Sequence, residues 1–106
     1  MCLFGNDLDL AAKYLRALAE DLELIAAGAG PSAEQLADAP LLGQWRPRMS
    51  SRGHAAIGGI VSGDELYVDG EYVNVEIVAA DPDCCWIRSL IGWYRLGDEM
   101  QEGGHA

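Results

Sequence analysis

The sequence predicts an α+β domain: two amino-terminal helices, then a small antiparallel sheet of four or five strands, either open or closed as an SH3-like barrel. Three observations predict it. An apolar repeat of threes and fours fills residues 7–27, β-branched segments fill 54–97, and two turn signals, Asp69-Gly70 and Asp81-Pro82-Asp83, punctuate the second region. At 106 residues the chain is one domain. Residues 1–97 form it, with a helical part at 7–39 and a β part at 54–97, and residues 98–106 read as a disordered polar tail.

In the first helix Leu8, Ala11, Leu15, Leu18, Leu22 and Ile25 make one stripe. Asn6 suits the N-cap, Asp7 and Asp9 suit the positive end of the helix dipole, and Gly28, Gly30 and Pro31 end the helix. Tyr14, Ala12, Ala19 and Ala26 widen the apolar face, so a homodimer through helix 7–27 is compatible with the pattern. Ser32-Ala33-Glu34-Gln35 has the form of a capping box and opens a short helix that Pro40 stops. Leu41, Leu42 and Trp45 then read as a loop clamping the helices to the sheet, and residues 46–53 as an exposed linker.

Residues 54–62 predict a first strand, bent or bulged at Gly58-Gly59. Leu66-Tyr67-Val68 and Glu71-Tyr72-Val73 flank Asp69-Gly70 as a hairpin. A three-residue loop at Asp81-Pro82-Asp83 sets Ala80 opposite Cys84, Val78 opposite Trp86 and Glu76 opposite Arg88. Val73, Val75, Ile77, Ala79, Cys85, Ile87 and Ile91 then share one face, and Trp93-Tyr94-Arg95-Leu96 adds a last strand.

The formal charge is −10, from 17 acids against 7 bases. Residues 1–44 carry −5, residues 45–53 carry +3 and residues 54–106 carry −8. Such a surface repels nucleic-acid backbones and anionic lipid and attracts basic partners; its blander role is to keep the chain in solution. No apolar run reaches bilayer length, and the start of the chain lacks the features of a secretory signal. Three cysteines without metal-type spacing point to a reducing cytoplasm.

Catalytic constellations are missing from the pattern. His54 and His105 have no nucleophile motif near them, and Cys84 and Cys85 adjoin Asp81 and Asp83, carboxylates that raise a thiol pKa. Asp64, Glu65, Asp69 and Glu71 lack the alternating ligands of a calcium loop, so no metal and no cofactor are expected. Arg46, Arg48 and Arg52 with Trp45 could form a nucleic-acid platform, against the overall charge.

Leu42-x-x-Trp45-Arg46, Gly59-Ile60-Val61-Ser62-Gly63 and, above all, the run from Trp86 to Gly97 (Trp-Ile-Arg-Ser-Leu-Ile-Gly-Trp-Tyr-Arg-Leu-Gly) are similar to a family of small alphaproteobacterial proteins of unknown function. Its members end in a Trp-Ala-Arg-Thr-Leu-Ser-x-Trp-Tyr-Arg-Leu-Gly type of motif. Here Asp64-Glu65 replaces a usual His-Pro, and Asn74-Val75-Glu76 stands where the family tends to carry Thr and Ser. The resemblance implies a cytoplasmic bacterial protein carried on plasmids or prophages, and it brings no catalytic residues. The expected function is a non-enzymatic, acidic protein-interaction module whose partner has a basic surface. One concrete form is a mobile-element inhibitor of a host nucleic-acid-binding defence complex, of anti-CRISPR type. Asp64, Glu65, Asp69, Glu71, Asp81 and Asp83 are the expected contacts, and a small nucleic-acid-binding or regulatory module using the Arg/Trp set is the alternative.

Overall fold

The computed structural model describes residues 7–100. Helix α1 runs Leu8–Ala26 and α2 runs Ala33–Asp38. Six strands follow: β1 Leu41–Met49, β2 Ala55–Ser62, β3 Tyr72–Glu76, β4 Ala79–Ala80, β5 Trp86–Arg88 and β6 Trp93–Leu96. They form one sheet in the order β3-β2-β1-β6-β5-β4, with β1 and β6 parallel and every other pair antiparallel.

Local chemistry explains the helix ends. Asp7, not Asn6, caps α1, its carboxylate accepting from the Leu10 N–H. Ser32 and Gln35 exchange both bonds of the capping box, satisfying two backbone donors at the start of α2. The face of α1 turned inward is rotated from the expected stripe. Leu18 is buried and Ala11, Tyr14, Asp21, Leu22 and Ile25 are half-buried, while Leu8 is 78% and Leu15 50% exposed.

The sheet begins at Leu41, not at His54. The expected loop and linker are instead β1 and the tight β1–β2 turn, whose Ser50 hydroxyl accepts from the Arg52 and His54 N–H groups. Leu42 and Trp45 lie in the core with Ile57, Val61, Val73, Val75, Ile87 and Tyr94. The irregularity expected at Gly58-Gly59 falls on the facing strand. Between Gly43 and Arg46 the register shifts, Gln44 enters the left-handed region at φ 49°, and Gly59 sits opposite. A Cβ at Gly59 would stand 3.0 Å from the Gly43 carbonyl oxygen and 3.3 Å from the Trp45 Cβ, so glycine lets the bulge close against β2.

The sheet is not a closed barrel, yet its two edge strands are joined by only Ile77 and Val78. Ile77 N–H donates to Ala55 on the β2 side, and Val78 N–H donates to Arg88 on the β5 side. Two residues span at most about 10 Å, so the sheet must curl until its edges meet.

Two expected pairings are corrected. Leu66–Val68 do not form a strand; residues 61 and 71 pair directly, and 63–70 bulge out as a loop. Beyond the second turn Ala80 faces Ile87 and Ala79 faces Arg88, so Glu76 does not meet Arg88. Asp81 explains the longer loop, because its carboxylate accepts from the Asp83 and Cys85 N–H groups and holds both residues out of the ladder. Cys85 is therefore exposed rather than in the core. Asp98 to Met100 pair beside Trp45, whose N–H and carbonyl bond Asp98 and Met100; residues 101–106 lie outside the described part.

Candidate functional site

The terminal aromatic-and-arginine run folds into a structural hub. Arg88, only 2% exposed, donates from Nε to the Asp21 carboxylate at 2.8 Å and from Nη1 to the Ser89 carbonyl. Its guanidinium also stands 5.5 Å from the Trp93 ring centre, and Trp86 meets Trp93 edge to face. Ser89 closes the β5–β6 turn by accepting from Ile91 and Gly92 N–H, and Arg95 donates to the Ala39 carbonyl. These groups tie both helices to the sheet. They are spent on the fold rather than offered to a nucleic acid.

Next to this hub is an open groove of about 330 Å³, floored by Pro40, Trp93 and Tyr94 and walled by Tyr14, Asp38 and residues 63–66. Three carboxylates line it (Asp38, Asp64 and Glu65) and no cationic side chain does. One wall is the 63–71 loop, which is closed by hydrogen bonds among its own residues and to Tyr94. Asp64 accepts from Leu66 N–H and from the Tyr94 hydroxyl at 2.5 Å, Asp69 accepts from Gly63 N–H, and Glu71 accepts from Val68 N–H. Backbone bonds from Tyr67 to Asp64 and from Glu71 to Val68 complete the two turns. The loop so held presents Leu66 at 63% and Val68 at 75% exposure, beside half-exposed Tyr72. Asp64, Glu65, Asp69 and Glu71 flank these exposed apolar side chains along the loop.

Burial, and then the bond to Asp64 and its charge, push the Tyr94 hydroxyl well above the ordinary tyrosine range. A raised folded-state pKa contributes stability below the unfolded value of about 10 and loses it as pH rises beyond. Tyr94→Phe should therefore cost about 1–2 kcal/mol near neutrality, and its stability should fall less steeply than the wild type's above pH ~10. Urea unfolding at several pH values checks this; parallel alkaline slopes would refute the assignment.

A family profile matches residues 3–103, nearly the whole chain. The chain belongs to DUF6634, a family of unknown function. No curated protein and no solved structure matches it.

The structure distributes the expected contact residues of this DUF6634 chain over separate places. Asp64, Glu65, Asp69 and Glu71 share the groove-side loop, whereas Asp81 and Asp83 sit in the β4–β5 loop at the other end of β5. Four of the six carboxylates bond their own loops, and only the carboxylate groups of Glu65 and Asp83 accept no hydrogen bond from another described residue. Asp38 and the exposed Leu66 and Val68 were not anticipated. Asp38 reads as helix surface until α2 is placed, and the two apolar residues read as strand.

The basic residues lie toward the far end of β1. Arg52 makes two bonds to Glu76, which holds the Glu76 carboxyl below its usual range, and Arg46 reaches the Met100 sulfur. Arg48 is exposed. Trp45 is buried, with Nε1 donating to the Gly97 carbonyl, which takes its ring out of any stacking surface. The Cys85 thiol is pushed up by desolvation first and then by Asp81 and Asp83, so it is a poor nucleophile near neutrality. No helix of the described residues is long and apolar enough to cross a membrane.

Proposed function

We propose that this chain is a non-enzymatic, acidic protein-interaction module and that the 63–71 loop, with the groove beside it, is its contact surface. The observation that carries the reading is the hydrogen-bonded loop that turns Leu66 and Val68 outward between carboxylates. Burying those two side chains in a partner gains apolar area with little ordering cost, because the loop is already fixed. The groove, walled by Asp38 and Glu65, receives a lysine or arginine side chain of the same partner. The terminal motif suggests a small alphaproteobacterial protein encoded on plasmids or prophages and working in the cytoplasm. In that setting the partner is a host nucleic-acid-handling defence complex, whose basic groove the loop occupies as an inhibitor would.

The variant that tests this must spare the carboxylates pinning the loop. Asp38→Lys and Glu65→Lys, combined with Leu66→Ser and Val68→Ser, leave the hydrogen bonds that close the loop in place. Affinity capture from the source bacterium should retain a basic partner on the wild type and release it from the variant. Equal retention would overturn the proposal. A gel-shift titration at low salt separates the alternative: tight DNA or RNA binding with a steep salt slope would move the function to Arg46, Arg48 and Arg52.

A further inference from the structure

We infer that two copies of this chain associate through α1, antiparallel, along a leucine–alanine seam that borders the face covering the sheet and shares the half-buried Leu22 with it. Leu8, Ala12, Leu15, Ala19, Leu22 and Ala26 follow one another in steps of four and three and fall within an arc of roughly 80°. The centre of the buried face lies to one side of that arc, at Leu18 with Tyr14, Asp21 and Ile25. The seam therefore stays open: Leu8, Leu15, Ala19 and Ala26 are exposed, and Ala12 and Leu22 are half-exposed.

A second copy is the occupant that the seam fits. Laid antiparallel about a two-fold near Ala17, each leucine meets an alanine: Leu8 with Ala26, Leu15 with Ala19, and Leu22 with Ala12. Alternating large and small side chains let the two helix axes approach closely and fill the seam without gaps. Beside the two-fold, Arg16 of one copy comes within about a turn of Glu20 in the other, twice per dimer, and these charges are complementary. Asp9 approaches Glu23 farther out and opposes it, as does the −10 charge on each copy. Six small-to-medium side chains per copy bury on the order of 900 Å² in total, under the range of tight complexes. The dimer is thus a weak one, strengthened by salt because screening relieves the repulsion between copies.

Sedimentation equilibrium over a concentration series tests it. Self-association should appear on the order of 10–100 μM and tighten at least a few-fold from low to 0.5 M salt. Leu15→Glu, a change at an exposed position, should leave the circular-dichroism spectrum unchanged and the protein monomeric. A Leu8→Cys/Ala26→Cys variant without the native cysteines should oxidise to a covalent dimer. Leu8→Cys alone should not, since antiparallel copies place the two sulfurs about 27 Å apart. A wild type monomeric throughout, association that survives Leu15→Glu, or efficient linking through position 8 alone would each overturn the seam. None of these readings bears on the loop and groove, so the two proposals fail separately.

Discussion

Asp21→Ala should lower folding stability by about 3–5 kcal/mol, a large share of the 5–15 kcal/mol typical of a domain. The reason lies in what it leaves behind. Arg88 is 2% exposed, its Nε stands 2.8 Å from the Asp21 carboxylate, and that carboxylate is itself mostly buried, at 14%. Without Asp21 the guanidinium keeps the Ser89 carbonyl and the Trp93 ring but loses its only anionic partner among the described residues. Replacing both members, as Asp21→Leu with Arg88→Met, should recover most of the loss, because an apolar pair removes both desolvation costs together. Urea midpoints of the two single variants and the double variant decide it. A loss under about 1 kcal/mol for Asp21→Ala would show that the pair does not anchor α1.

Trp45→Ala is the second large effect, about 3–5 kcal/mol. Trp45 is 7% exposed at the β1 bulge, with its Cβ against the Gly59 backbone and its Nε1 bonded 2.9 Å from the Gly97 carbonyl. Truncation opens a cavity between β1, β2 and the 97–100 segment that a bulged backbone cannot collapse to fill. Trp45→Phe keeps most of the volume and loses the indole bond, so it should cost about 1–2 kcal/mol. Equal losses for Ala and Phe would mean that the hydrogen bond, not the packing, holds the bulge.

The helices and several strands were readable because local signals fixed them. The Ser32–Gln35 capping box, the apolar repeat of α1, and the β-branched residues of β2 and β3 needed no tertiary partner to be recognised. β1 was not readable. Gly43, Gln44, Arg46, Pro47 and Arg48 are loop-like in composition, and only pairing with β2 makes this stretch strand, while β6 pairs with Leu41 and Leu42 just before it. The Asp69-Gly70 turn was legible and does form, with Glu71 N–H donating to Val68. Its upstream strand failed because Asp64 and Glu71 capture the amides of Leu66 and Val68 before a ladder can. Arg88 is expected opposite Glu76 from the hairpin register; its partner is Asp21, 67 residues away, in a buried ion pair that no local signal announces. For the candidate site, sequence located the acids of the loop but not their direction. Most of them point at the protein's own backbone, and the outward surface is carried by Leu66, Val68, Glu65 and Asp38.

The affinity of the captured partner for two matched variants tests the contact surface most directly. One carries the Asp38, Glu65, Leu66 and Val68 changes at the groove; the other carries Arg48→Glu and Arg52→Glu at the far end of β1. A drop on the order of 100-fold for the first, with the second within a few-fold of wild type, is the expected result. Unchanged binding by the groove variant, or a loss confined to the arginine variant, would contradict it.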